Sequence, residues 1–358
     1  MRPAQASLVL GTGHFWATTF LNVLVRSRRS PLETPRFARH GRPMARSIAL
    51  LFSGQGAQQV GMGKDLSQNF AVAANRFAEA DAGLGYSISQ IAFEGPIEEL
   101  TKTSRCQVAL YVHGIAVLDI LREQLGDFNF VVAAGLSLGE FTAHAAAGTF
   151  GFLSGLRLVA NRGQYMEEAC NATSGTMAAF ISGDEAAVRN IAQEAGVDVA
   201  NLNSPGQIVL SGTTENVGKA IDLAKEYGIR KAVRLNVAGA FHSRLMISAA
   251  VKLRGDLAHV TFSTPGAKIV SNVTAQPVTG ENEVAQSLAE QVTGTVRWTE
   301  SVAYMIDQLG CNLFLELGPG DVLAGLVGRI RKGTEVISIG SRSSLEDALP
   351  KLRAAIGN

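Results

Sequence analysis

The stretch Phe128–Gly148 reads FNFVVAAGLSLGEFTAHAAAG, and its character changes twice along its length. Phe128–Ala134 is a short apolar run, the pattern of a buried strand. Gly135-Leu136-Ser137-Leu138-Gly139 breaks that run with two glycines and a serine, as a turn does. Glu140–Ala147 then reads as a helix that closes at Gly148, a residue suited to a C-cap. Strand, turn and helix in that order point to an α/β architecture.

The same alternation continues on either side. Ser47–Phe52 (SIALLF) is a second buried strand, stopped by Ser53-Gly54-Gln55-Gly56. Helical patterns follow to about Leu125, with Gln107–Leu121 almost wholly apolar, and a further helix is expected at Leu153–Ala169. From Thr176 to Val237 the order changes. Strand-like Thr176–Ile181, helix-like Glu185–Glu194, strands Val197–Ala200 and Gln207–Leu210, helix Glu215–Tyr227 and strand Lys231–Leu235 give β-α-β-β-α-β, a ferredoxin-like unit. The body resumes with a helix near Met246–Leu257, a strand at Ile269–Ser271, helices near Glu283–Gln291 and Ser301–Gln308, and a strand at Phe314–Leu317. The expected organisation is an α/β-hydrolase-like large subdomain, residues 47–172 and 238–358, with a ferredoxin-like small subdomain, residues 173–237, inserted into it.

Gly135–Gly139 fits G-x-S-x-G between a strand and a helix, which is the context that motif needs to expose a serine hydroxyl. The helix start places free N–H groups and a positive dipole end beside Ser137, which suits an oxyanion formed during acyl attack. A base is then required, and four histidines are available in the body: His113, His144, His242 and His259. His113 lies in an apolar helix. His144 is seven residues after Ser137, about 10 Å along a helix axis, too far for a hydrogen bond. His259 sits among Leu257, Val260 and Phe262, a packing environment. His242 lies in the small-residue loop Gly239–Ser243 and is the best candidate. No acid adjoins it, so its orienting partner is either a distant acid or a neutral acceptor such as a backbone carbonyl.

Composition narrows the alternatives. The chain has 358 residues, 46% hydrophobic and 18% charged, as globular proteins have. The overall charge of +1 is uneven. Residues 1–46 take eight of the 32 basic residues, all Arg, and only Glu33 of the 31 acidic ones, which leaves the remainder 24 against 30, a net of −6. An Arg-rich, acid-poor leader with Ser and Thr reads as an organelle transit segment, expected to be unstructured or removed; a signal peptide fits less well, because Gly11, Gly13 and His14 break its apolar stretch. An acidic body argues against nucleic-acid binding. No run reaches the roughly 18–20 uninterrupted apolar residues that a membrane span needs. Cys106, Cys170 and Cys311 are scattered and form no metal or disulfide pattern, so each is expected in the core. The glycines around Gln55–Lys64 do not make a phosphate-binding loop, since Asp65 stands where Ser or Thr belongs.

Seven stretches, in order, resemble one family: Phe52–Gln58 (FSGQGAQ), Gly135–Glu140 (GLSLGE), Asn161–Met166 (NRGQYM), Asn201–Gln207 (NLNSPGQ), Gly239–Ser243 (GAFHS), Val296-Arg297-Trp298 and Glu316–Gly320 (ELGPG). The chain resembles the malonyl-CoA:acyl carrier protein transacylases and, more broadly, the acyltransferase domains of fatty acid and polyketide synthases. The resemblance covers essentially all of residues 47–340. It implies that Ser137 is acylated and His242 is its base, with backbone N–H groups of Gln55 and Leu138 forming the oxyanion hole. It implies further that Arg162 grips the free carboxylate of malonate, that the backbone carbonyl of Gln291 receives His242, and that Asn203 lines the pocket. No metal or redox cofactor follows; a coenzyme A thioester is the substrate, an acyl carrier protein the partner, and a monomer with no nucleic-acid or membrane role is expected. A polyketide-pathway acyltransferase shares this chemistry, and a serine esterase shares the elbow and base without the carboxylate clamp. Leu136 departs from the bacterial pattern, which usually has His before the nucleophile. Phe241 before the base accompanies malonyl in the related polyketide domains. The GLSLGE and GAFHS variants resemble plastid-type members, so plastid stroma is the expected location, with the mitochondrion as the alternative.

Overall fold

Ile48-Ala49-Leu50-Leu51-Phe52 is apolar at every position, so a strand made of it has to be covered on both faces. The computed structural model describes residues 46–126 and 128–357; the leader, apart from Arg46, lies outside the described residues. Nine strands form among the described residues: β1 (Ile48–Phe52), β2 (Val132–Gly135), β3 (Gly175–Ile181), β4 (Asp198–Ser204), β5 (Gln207–Thr213), β6 (Lys231–Arg234), β7 (Lys268–Ile269), β8 (Leu313–Leu317) and β9 (Glu335–Ile339). Five form one parallel sheet in the order β7-β2-β1-β8-β9.

β1 is the centre of that sheet, and its side chains alternate as a pleat requires. Leu50 and Phe52 join the core that holds the helix Thr103–Leu125; Ala49 and Leu51 join Trp298, Val302 and Phe314 on the other face. The helix Thr103–Leu125 is long and apolar enough to cross a membrane by length and composition, yet most of it is buried inside the protein. It packs against the helix Phe152–Ala172, and that contact fixes where Arg162 points.

The other four strands form an antiparallel sheet in the order β4-β5-β3-β6, the ferredoxin-like arrangement expected from the sequence. Its pleat is divided too. Ala178, Phe180 and Leu210 face the helices Glu185–Ala195 and Thr214–Leu223 and close a separate small core; Met177, Ala179 and Val209 face the body. The fold is thus an α/β body with a second, antiparallel unit set into it.

Several boundaries move. β2 begins at Val132 rather than Phe128, because Phe128 and Phe130 pack on each other ahead of the sheet, with centroids 6.4 Å apart. The helix after the turn begins at Leu138, directly behind Ser137, not at Glu140, and ends at Ala146 with Gly148 just beyond in a left-handed conformation. β9 and the helices Val322–Ile330 and Arg342–Ile356 follow the last strand that the sequence reading placed.

Candidate active site

The parallel strands β1, β2 and β8 all end at one edge of the sheet. Ligands in such sheets bind outside the carboxyl ends of the strands. β2 runs into the elbow at Gly135, and the elbow is held by two close approaches. A Cβ on Gly135 would fall on the Gly139 carbonyl, and one on Gly139 would fall on the Phe52 carbonyl. Only glycine lets strand, turn and helix pass at that separation. Between them Ser137 takes φ 55, ψ −106, a conformation that non-glycine residues rarely adopt. The helix Leu138–Ala146 starts at once, so its first N–H groups sit beside the serine hydroxyl.

His242 also has a positive φ, 55°. Its Nε2 is 2.8 Å from Ser137 Oγ, and its Nδ1 is 2.8 Å from the Gln291 carbonyl oxygen. A carbonyl only accepts, so Nδ1 carries the hydrogen and Nε2 presents its lone pair to the serine. Burial, and then the charge of Arg162, push the imidazole down to about 4, which keeps it neutral at pH 7. A neutral, oriented imidazole beside a hydroxyl can take its proton.

Arg162 is fully buried on the helix Phe152–Ala172. Its Nη2 donates to Ser137 Oγ at 3.1 Å and to Gln291 Oε1 at 2.9 Å; its Nη1 donates to Gln107 Oε1 at 2.5 Å. Its Nε has no protein partner. Burial lowers the guanidinium to about 10 while Glu140 opposes the shift, so it stays charged at neutral pH. A buried cation partnered by neutral amides rather than by an adjacent carboxylate is electrostatically incomplete, and an incoming carboxylate completes it.

Gln55 and Leu138 line the same cavity as Ser137. Neither N–H is taken up by the turn and loop hydrogen bonds among the described residues. Asn203 lines that cavity from β4, but makes no hydrogen bond to Ser137, His242 or Arg162; its buried Oδ1 has no protein partner. The cavity holds about 1030 Å³ and extends away from the nucleophile to Asp321 and Arg329. Among the described residues no group of three or more His, Cys, Asp or Glu is placed to hold a metal ion. Cys106, Cys170 and Cys311 are buried and unpaired.

The other histidines are occupied elsewhere. His113 is buried with Nε2 on the Gly340 carbonyl at 3.0 Å, and His144 is buried with Nδ1 on Thr149 Oγ1 at 3.1 Å. His259 differs from its reading. It is exposed, its Nδ1 paired with the Gly255 carbonyl, because it lies in the turn just past the end of the helix Ile247–Leu257.

Three contributors were given no role from the sequence. Asn272, in the loop after β7, accepts the Ser137 N–H at 2.7 Å and donates to the Gly135 carbonyl at 2.8 Å. Gln107 meets Arg162 from the core helix, where it read as one polar residue in an apolar run. Glu140, fully buried, accepts from the Asn272 N–H at 3.1 Å and from Gln291 Nε2 at 2.6 Å. Burial pushes its carboxyl up to about 7, against those two hydrogen bonds and the charge of Arg162. The Gln291 side chain was equally invisible; only its carbonyl was expected.

Comparison with known proteins places this geometry in context. The acyl transferase domain family matches residues 49–337. The chain is 40% identical over 311 residues to the malonyl CoA-acyl carrier protein transacylase of Bacillus subtilis, covering 86% of this chain and 97% of the relative. It superposes on an acyl carrier protein S-malonyltransferase from Vibrio cholerae with a TM-score of 0.81 and 37% identity, over 84% of this chain and 99% of the other. It likewise matches a malonyl-transacylase solved in complex with a type II polyketide acyl-carrier protein, with a TM-score of 0.82 and 36% identity, over 85% and 99%.

Proposed function

The chain belongs to the acyl transferase family, among the malonyl-CoA:acyl carrier protein transacylases, and on that premise we propose that it transfers malonyl from coenzyme A to the phosphopantetheine thiol of an acyl carrier protein in fatty acid biosynthesis. The observation that carries this reading is Arg162 Nη2 at 3.1 Å from Ser137 Oγ: a buried cation within reach of any acyl group the serine would hold. A short acyl chain ending in a carboxylate satisfies both groups at once, and Arg meets carboxylate through two parallel hydrogen bonds. An acetyl ester leaves the cation as it was, and a plain esterase has no use for it.

The steps follow from the contacts. His242 Nε2 takes the Ser137 Oγ proton as the oxygen attacks the thioester carbonyl. The N–H groups of Gln55 and Leu138 receive the oxyanion. The carbon–sulfur bond breaks, and His242 returns the proton to the departing coenzyme A thiolate. The carrier protein's pantetheine thiol then gives its proton to His242 and attacks the malonyl ester. Its collapse re-forms Ser137 with that proton. No metal or redox cofactor enters. The experiment is intact-mass measurement after incubation with malonyl-CoA, acetyl-CoA or methylmalonyl-CoA. The expected result is a gain of one malonyl group, absent in Ser137→Ala; a label from acetyl-CoA as readily as from malonyl-CoA would defeat the reading.

The leader and the site variants extend the proposal. Residues 1–46, with eight Arg and one acid, act as a transit segment, and the GLSLGE and GAFHS sequences favour the plastid stroma over the mitochondrion. A fluorescent fusion of residues 1–46 that stayed in the cytosol would exclude both. The enzyme works as a monomer, to be checked by light scattering.

A further inference from the structure

We propose that Glu140 is a positioning residue for malonyl selectivity: its Oε2 fixes which way the Gln291 amide faces, and through that amide sets the clamp and the base together. The inference rests on the transacylase reading above. Gln291 is at the junction of the site. Its backbone carbonyl holds His242 Nδ1 at 2.8 Å, its Oε1 accepts from Arg162 Nη2 at 2.9 Å, and its Nε2 donates to the Ser137 carbonyl at 2.8 Å and to Glu140 Oε2 at 2.6 Å.

An amide has two ends of opposite sense, one accepting and one donating. Arg162 carries only donors, so it needs the oxygen end. If the amide flipped, an NH₂ would face a guanidinium N–H and neither hydrogen would have an acceptor. The far end selects the same orientation through its acceptors: the Ser137 carbonyl at 2.8 Å, Asn272 Oδ1 at 3.4 Å and, nearest to Nε2 and the only carboxylate oxygen, Glu140 Oε2 at 2.6 Å. The same oxygen accepts the Asn272 N–H at 3.1 Å, and Asn272 Oδ1 in turn holds the Ser137 N–H at 2.7 Å. One buried carboxyl oxygen thus ties the elbow, the base and the clamp into a single register. It touches neither the nucleophile nor the acyl group.

The role belongs to an acceptor at that position, not to a negative charge. Glu140→Gln can keep a carbonyl oxygen at Oε2, with its NH₂ at the site of Oε1, which has no partner. Glu140→Asp keeps the acid but withdraws the acceptor by one methylene, and Glu140→Leu removes it. The readout is the ratio of kcat/KM for Ser137 loading by malonyl-CoA over acetyl-CoA, which a uniform loss of folded enzyme does not move. The ratio is expected to stay within about threefold of wild type in Glu140→Gln, and to fall roughly tenfold or more in Glu140→Asp and Glu140→Leu, the worth of one hydrogen bond to a charged group. In the double variant with Gln291→Leu, the loss is expected to equal that of Gln291→Leu alone. If Glu140→Leu does not fold, the order of Glu140→Gln and Glu140→Asp decides. An unchanged ratio in Glu140→Asp, or an aspartate variant better than the glutamine one, overturns the inference. A wild type that prefers malonyl while every Glu140 variant keeps that preference overturns this inference alone; a wild type with no preference overturns the transacylase reading beneath it.

Discussion

The two cores of the molecule are built to different rules. In the small antiparallel unit, from β3 to β6, no charged side chain is buried; Phe180, Ile191, Leu210 and Val217 close on one another. In the large body, Glu140, His144, Arg162, His242 and Glu316 are all buried, and three of them meet beside Ser137. An apolar core is held by burial and shape and tolerates no cavity. A buried polar set is held by having each partner in place, and is costly when one is missing. The small unit therefore carries stability without chemistry while the body carries both, and damage to the polar set and to the small core should have separate signatures.

Arg162→Ala is the sharpest way to test that separation. It is expected to lower kcat/KM for malonyl loading by on the order of 10³, the scale for truncating one member of a buried charged hydrogen-bonded pair, while acetyl loading changes far less. Stopped-flow loading with the two thioesters measures the difference. Leu210→Ala, in the small core, is expected to do the reverse. It should cost about 3 kcal/mol of stability in a denaturant titration, with loading per folded molecule unchanged. If Leu210→Ala slowed loading by more than a few fold, the two cores would not be independent.

The pH response belongs to the polar set alone. His242 is held down to about 4 by burial and by Arg162, below its ordinary 6.5. As pH falls from 6.5 towards 4, the unfolded chain takes a proton that the folded histidine refuses, so stability is lost through that window. The base itself stays neutral, so loading should hold level from pH 7 to about 5 and be halved only near 4. A small neutral ester reads this cleanly, since it brings no carboxylate of its own. Glu140 runs the other way. Its raised value, about 7, means stability from its protonation is present below 4.5 and lost as pH rises towards 7. Asp198 of the small unit and Arg244 of the body pair at 2.5 Å, with the arginine well exposed. Arg244→Ala should cost no more than about 1 kcal/mol and leave loading alone, as exposed pairs do.

The two regions were not equally legible. Apolar runs with period 2 or near-continuous burial mark β1, β2, β3 and β8, and a G-x-S-x-G between strand and helix marks Ser137, because those signals are local. His242 and Arg162 also came from the sequence, one by exclusion of other histidines and the other by resemblance. What could not be read was the polar scaffold behind them. Asn272 lies 135 residues from Ser137, and Gln291 lies 151 from Glu140. Only folding brings them together, and each in isolation looks like an ordinary polar residue. His259 shows the opposite error: apolar neighbours in sequence suggested burial, while the turn that follows the helix Ile247–Leu257 put the ring outside.

Ser137 and His242 share one further property, a backbone angle that glycine would adopt freely. Strain of this kind is on the order of 1–3 kcal/mol per residue. The two positions that perform the reaction are thus positions where the backbone alone would prefer something else. At Ser137 relief of that strain competes only with the hydrogen bonds of one hydroxyl, whereas at buried His242 a glycine would also leave a cavity and the Gln291 carbonyl without its donor. Ser137→Gly, melted beside the wild type, would show how much stability the living enzyme forgoes there; His242→Gly is expected to melt lower, its lost contacts outweighing the strain.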